Sequence, residues 1–145
     1  MTTAFIPQET SSGETRIAAS VDVVKRLCTA GITVQVEAGA GTSAHLSDAD
    51  LRAVGAEVVA DGAAAWSAAD LVLKVAPPSA EEAGRLKAGA ILVSHVYPTN
   101  CPEVVEVLME RQVTTLAMEL IPRISRAQSM DSLSSQATLA GYKAV

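Results

Sequence analysis

The densest group of chemistry-bearing side chains is the run Pro122-Arg123-Ile124-Ser125-Arg126-Ala127-Gln128-Ser129-Met130-Asp131-Ser132-Leu133-Ser134-Ser135. Its two arginines carry planar forks of N–H donors, its Asp only accepts, and its Gln can do both. Such a set suits a polar ligand with a carboxamide and hydroxyls. Arg donates to the carboxamide oxygen, and Asp accepts from ribose hydroxyls. The same residues also suit a solvated loop that ends in a Ser129 helix cap. Residue types alone leave these two readings level.

Four weaker candidates stand elsewhere. Gly39-Ala40-Gly41-Thr42-Ser43-Ala44 is formally G-x-G-x-x-A, and Asp61 lies about where a ribose-binding acid belongs. A phosphate cradle needs a helix to open inside the turn, so that its first amides face the pyrophosphate. His45 and Leu46 intervene before the next helix signal at Ser47, which favours a tight structural turn. Arg16, after Glu14-Thr15, is either an ion-pair residue or a fork for a carboxylate or carboxamide. Lys74 ends the apolar run Leu71-Val72-Leu73 and is open between a ligand role and an edge ion pair. His95 follows Ile91-Leu92-Val93-Ser94 with no partner in view, and its expected role is structural.

The elements that must position these residues alternate along the chain. Strands are predicted at Thr3–Ile6, Thr33–Glu37, Glu57–Ala60, Leu71–Val75, Ala90–Ser94 and Thr114–Met118. Helices are predicted from Ser20 to Thr29, from the box Ser47-x-x-Asp50 to Gly55, and over Ala63–Ala69. A further box, Ser79-x-x-Glu82, opens a helix that ends near Lys87. Asn100 is the predicted cap of the next, with Pro102 in its first turn and Glu103 completing the box. A last helix runs from Ser129 to the chain end, still periodic at Val145 through Met130, Leu133, Ala137, Ala140 and Ala144. Strands joined through helices imply a mostly parallel, doubly wound α/β sheet covered on both faces. The unfinished periodicity carries the expectation of a chain cut inside a longer protein.

Composition sets the outer limits. With 145 residues, one domain is favoured, and 49% hydrophobic against 19% charged residues excludes disorder. The core must be built from small side chains, since there are 26 alanines and four aromatics. A net charge of −5 without a basic tract argues against a nucleic-acid partner. No apolar run approaches the roughly 20 residues that span a bilayer. The first residues lack the pattern of a signal peptide, so a cytoplasmic location is expected. Cys28 and Cys101 lack metal-ligand spacing and are expected to be reduced thiols; no metal site is predicted.

Nearly the whole chain resembles the N-terminal half of the NAD(H)-binding alpha subunit of proton-translocating NAD(P) transhydrogenase. Alanine dehydrogenases share this domain. The resemblance is carried by Glu14-Thr15-Arg16-Ile17-Ala18, Val36-Glu37-Ala38-Gly39-Ala40-Gly41, Gly55-Ala56-Glu57 and Leu73-Lys74-Val75. Most specific are the run from Pro122 to Asp131, Leu133-Ser134-Ser135-Gln136 and Ala140-Gly141-Tyr142. Alanine dehydrogenases carry a catalytic His shortly before a Pro-Glu pair. Aligned on Pro102-Glu103, Tyr97 falls there, and His95 stands two positions off. Arg16 and Lys74 match that enzyme's substrate-binding Arg and Lys, so an alanine dehydrogenase-like enzyme is the alternative. A non-catalytic binding or assembly module is a third reading.

The resemblance implies a flavodoxin- or Rossmann-like fold over residues 1–145, the last helix (129–145) cut and a following NAD-binding Rossmann domain absent. It implies direct hydride transfer between NAD(H) here and NADP(H) in a partner subunit, coupled to proton translocation. Arg123 would then bond the nicotinamide carboxamide with help from Ser134, Asp131 the nicotinamide ribose, and Gln128 would reach toward the NADP side. Implied partners are a second alpha component, an NADP-binding beta subunit and a membrane domain. Implied locations are the cytoplasm or the cytoplasmic face of the inner membrane. This piece alone is expected to be inactive.

Overall fold

The structure, a computed structural model, describes residues 2–144. Its six strands are β1 (Thr3–Ile6), β2 (Thr33–Glu37), β3 (Glu57–Val59), β4 (Leu71–Leu73), β5 (Ile91–Ser94) and β6 (Thr114–Ala117). They form a single sheet in the order β3-β2-β1-β4-β5-β6, and every neighbouring pair is parallel. This is the strand order of a Rossmann-type sheet, with its switch point between β1 and β4. Central position explains the sequence of β1: Ala4, Phe5 and Ile6 are all fully buried, one face against each helical layer.

The helices are α1 (Val21–Thr29), α2 (Asp48–Ala53), α3 (Gly62–Ala68), α4 (Ala80–Arg85), α5 (Pro102–Glu110) and α6 (Ser132–Lys143). On one face Ile6, Val34 and Val36 pack with Val24 of α1 and Leu51 of α2. On the other, Phe5, Val72 and Leu92 pack with α3, α4 and α5, where Phe5 and Trp66 meet edge to face at 6.0 Å. Alanines 65, 69, 83 and 90 line this second cluster, so small side chains bring helix and sheet close together. Coverage is incomplete. The first face continues through Ile91 and Leu116, which share an orientation with Leu71 and Leu73 by register, and these two are 39% and 55% exposed.

Most helix starts match the predicted caps. Ser20 accepts from the Val23 amide, and the boxes Ser47/Asp50 and Ser79/Glu82 are both closed. Two predicted caps are corrected. Asn100 does not cap α5; Cys101 holds the cap position without a side-chain bond. The cause is Tyr97, whose left-handed backbone (φ 47°) turns the chain so that its carbonyl accepts from the Asn100 and Cys101 amides. Nor does Ser129 cap the last helix. Residues 125–130 form a 3₁₀ stretch, and Asp131 caps α6, accepting from the Leu133 and Ser134 amides. A carboxylate stabilises a helix N-terminus by charge as well as by hydrogen bonding. Continuation of this helix to Val145 lies outside the described residues. Strands β3, β4 and β6 end one or two residues earlier than predicted, and α3 starts one residue earlier behind an Asp61 cap.

Candidate functional site

Parallel strands deliver all their C-terminal ends to one edge, and the connections there meet around a cleft of about 340 Å³. Arg16 reaches it from the connection after β1, His95 and Tyr97 from the end of β5, and Glu119 and Arg123 from the chain after β6. Asp131, Ser132, Leu133 and Gln136 close it from the start of α6. Two of the four predicted site residues, Arg123 and Asp131, therefore line one cavity. Gln128 and Ser134 are exposed and do not line it.

Asp131 is already occupied in part. Its Oδ1 accepts from the Leu133 and Ser134 amides at 3.1 and 3.2 Å, and its Oδ2 accepts from the Ser134 hydroxyl at 2.5 Å. The Ser134 hydroxyl above all holds this carboxyl below the usual range; the backbone amides and the Arg123 charge add to the effect. A carboxylate offers about four acceptor directions, so roughly one is left for a ligand hydroxyl. The Ser134 proton is committed, which leaves that hydroxyl as an acceptor. Arg123 makes no hydrogen bond or ion pair among the described residues, so its fork is available.

The other side of the cleft is built by bonds that the sequence does not announce. Glu119, two residues past the end of β6, accepts from the Val96 amide with both oxygens and from the Tyr97 amide at 2.6 Å. It thereby holds Tyr97 in its unfavourable left-handed backbone and stacks the phenol on His95, with ring centres 5.7 Å apart. His95 faces the Val75 carbonyl through Nδ1 at 3.0 Å and the Ser132 hydroxyl through Nε2 at 3.2 Å. The expected structural role for His95 fits this double engagement. Arg16 binds Glu14 through Nε and a terminal nitrogen at 2.7 and 2.6 Å. These side-chain bonds pull the Glu14 carboxyl down to about 2.

Lys74 does not line the cleft. It is buried at the end of β4 in the middle of the sheet, not at an edge, and its ammonium lies 2.6 Å from Glu9. Glu9 also accepts from the Val75 and Ala76 amides. This pair sits where β1 and β4 diverge, the place where open α/β sheets commonly receive a ligand. The glycine turn is structural too. A Cβ on Gly41 would stand 2.6 Å from the Leu46 carbonyl oxygen, and Asp48 accepts from the Gly39 amide. Asp61, the supposed ribose acid, is spent as the α3 cap. Sequence reasoning passed over Glu119, whose signal was an acid just beyond a strand end; Ser132 and Gln136 lay within the sequence motifs but were given no role.

Among the described residues, no helix is long and apolar enough to cross a membrane. Residues 5–140 match the family described as Alanine dehydrogenase/PNT, N-terminal domain. The chain is 44% identical over 139 residues to NAD(P) transhydrogenase subunit alpha of Cereibacter sphaeroides, spanning 96% of this chain and 27% of that one. It is 36% identical over 116 residues to an alanine dehydrogenase of Mycobacterium tuberculosis, covering 80% of this chain and 31% of that one. Its structure superposes on the crystal structure of transhydrogenase from Sinorhizobium meliloti with a TM-score of 0.90 at 44% identity. That match covers 97% of this chain and 42% of the other. The chain thus spans less than half the length of each of these relatives.

Proposed function

Because the chain belongs to the alanine dehydrogenase/PNT N-terminal domain family, we propose that it forms part of the NAD(H)-binding component of a proton-translocating NAD(P) transhydrogenase. The observation that supports this most is the pairing of an unengaged Arg123 with a partly engaged Asp131 in one cleft. Their chemistry fits the nicotinamide riboside end of the cofactor. Bound NAD(H) would supply the hydride chemistry. Arg123 would donate to the carboxamide oxygen, and the acceptor-only Ser134 hydroxyl, outside the cleft lining but 2.5 Å from Asp131, would take a carboxamide N–H that reaches past it. Asp131 would use its remaining acceptor direction on a ribose hydroxyl. Gln128, exposed on the 3₁₀ stretch outside the cleft, is free to face a nucleotide held by another subunit. The work of these residues is orientation and electrostatics, which can supply several kcal/mol of a transfer barrier.

In this reading the partners are a second alpha component, an NADP(H)-binding beta subunit and a membrane domain. The assembly places this chain in the cytoplasm or at the cytoplasmic face of the inner membrane. The test uses the whole natural protein, with equilibrium NADH binding followed by single-turnover transfer to the NADP-loaded partner. Asp131→Asn keeps a good helix cap while removing the charge, so weakened NADH binding reports the ligand contact rather than a frayed helix. Gln128→Asn is expected to leave NADH affinity nearly unchanged and to slow transfer, because displacing reacting groups by about 1 Å can cost ~100-fold. Equal losses of NADH affinity in both variants would overturn the assignment. A second reading, an alanine dehydrogenase-like enzyme, draws support from Arg16 and His95 lining the same cleft. Pyruvate- and ammonia-dependent NADH oxidation by the whole protein would establish it.

A further inference from the structure

The segment 122–144 carries all four predicted ligand residues, yet it is held to the domain by very little. Ala127 is its one buried residue, and α6 buries none. Its hydrogen bonds run within the segment, with one exception among the described residues: Ser132 to His95. The tautomer of His95 decides the sense of that bond. The Val75 carbonyl can only accept, so Nδ1 carries a proton, and in the neutral ring Nε2 is left with a lone pair. The Ser132 hydroxyl therefore donates to Nε2. The same Val75 oxygen also accepts from the His95 amide, so the backbone and the ring of His95 are both tied to one carbonyl. Tyr97 stacked on the ring limits its rotation further.

From this we infer that His95 is a positioning residue: a latch from the end of β4 to the first turn of α6 that sets where Asp131 stands in the cleft and where Ser134 stands beside it. Ser132 is the residue next to Asp131, so releasing it frees the cap carboxylate to move with the helix start. The latch acts through Ser132 and asks for no proton transfer. It rests on the proposed NAD(H) reading only for its effect on ligand binding; the latch itself is a property of the unliganded fold.

The whole natural protein carrying His95→Asn, His95→Gln, Ser132→Ala or the pair His95→Asn/Ser132→Ala provides the test. The Asn amide can reach the Val75 carbonyl but not Ser132, whereas the Gln amide extends to the Nε2 position. Amide hydrogen exchange of Ser134 and Ser135 reads the latch, and NADH equilibrium binding reads its consequence. Exchange at these two amides is expected to quicken by roughly 2- to 12-fold in His95→Asn and in Ser132→Ala, the factor that one net hydrogen bond represents. The double variant should show no more than either single change, and His95→Gln should restore most of the protection. NADH affinity should fall by a similar factor, while the amides of Val72 and Leu92 keep their protection and show the core intact. Unchanged exchange at Ser134 and Ser135, or effects that multiply in the double variant, would overturn the latch. If exchange responds as expected but the wild-type protein takes up no NADH, the latch stands and the NAD(H) reading falls. If NADH binds and exchange does not respond, the reverse holds.

Discussion

Glu9→Gln is expected to destabilise the chain far more than its conservative chemistry suggests. Glu9 and Lys74 are 3% and 0% exposed, and their charged atoms lie 2.6 Å apart. Removing the carboxylate leaves a buried ammonium, and breaking a buried pair on one side typically costs about 3–5 kcal/mol. Glu82 stands 4.0 Å from the same ammonium and offsets part of the loss, which argues for the lower end, about 3 kcal/mol. With its oxygen in the Oε1 position, Gln keeps the short bond from the Val75 amide and gives up only the 3.3 Å bond from the Ala76 amide, so most of the effect is the charge. An unfolding entropy of roughly 2.1 cal/mol/K per residue over 145 residues gives about 0.3 kcal/mol/K, hence a fall in Tm of about 10 °C. The single tryptophan, Trp66, is buried in the core and reports unfolding by its fluorescence. Adding Lys74→Met removes the stranded charge and should recover most of the loss. A Tm within about 3 °C of wild type for Glu9→Gln, under 1 kcal/mol at this size, would refute the reasoning. So would a double variant less stable than the single one.

Four further outcomes follow from the same structure. Arg123→Ala in the whole protein should weaken NADH binding and slow the stopped-flow hydride step, by on the order of 1.5–3 kcal/mol for a charge-assisted bond; unchanged kinetics would remove Arg123 from the site. Because Arg16 lowers the folded-state pKa of Glu14 from 4.5 to about 2, the pair's stabilisation should be full above the unfolded value and be lost as pH falls from 4.5 toward 2. Glu14→Gln should flatten that part of a Tm-against-pH curve, and an unaltered curve would contradict it. Ser47→Ala, which opens a closed capping box, should cost about 1 kcal/mol in urea unfolding. Asn100→Ala should stay within about 0.5 kcal/mol, because Asn100 caps nothing.

The fold was legible because its signals are local. Ser20, Ser47 and Ser79 each cap a helix through an amide three residues on, so the bond and its signature lie in one short window. β1 and β4 read as strands from runs of buried side chains, and helices between them forced a parallel sheet. Where local signals failed, a distant group had intervened. Asn100 lost its cap role because Glu119, 22 residues from Tyr97, fixes a left-handed turn that no residue type near Tyr97 advertises. Lys74 was undecidable for the same reason: its partner stands 65 residues away. Charge and apolar context predict that such a lysine must be paired, but not with what.

The candidate site shows this limit at closer range. Gln128 and Asp131 are three residues apart, and in a 3₁₀ helix such side chains stand on one edge. Continued through residue 131, the 3₁₀ stretch would aim both at the same ligand. Asp131 leaves the helix instead, with extended backbone (φ −75°, ψ 97°), and its carboxylate turns onto the first amides of α6. That rotation separates the pair: Asp131 enters the cleft and Gln128 stays outside it. In the proposed reading the cap and the ligand contact are two uses of one carboxylate, and the cap comes first because it exists without ligand. It fixes the side chain in advance, so binding need not immobilise it, and it uses acceptor directions that a ribose would otherwise claim. An Asp at this position is thus worth more to a ligand than a freer Asp would be, provided the single direction left open points at the hydroxyl. That direction is set by the turn from the 3₁₀ stretch into α6, the turn to which His95 and Ser132 are joined.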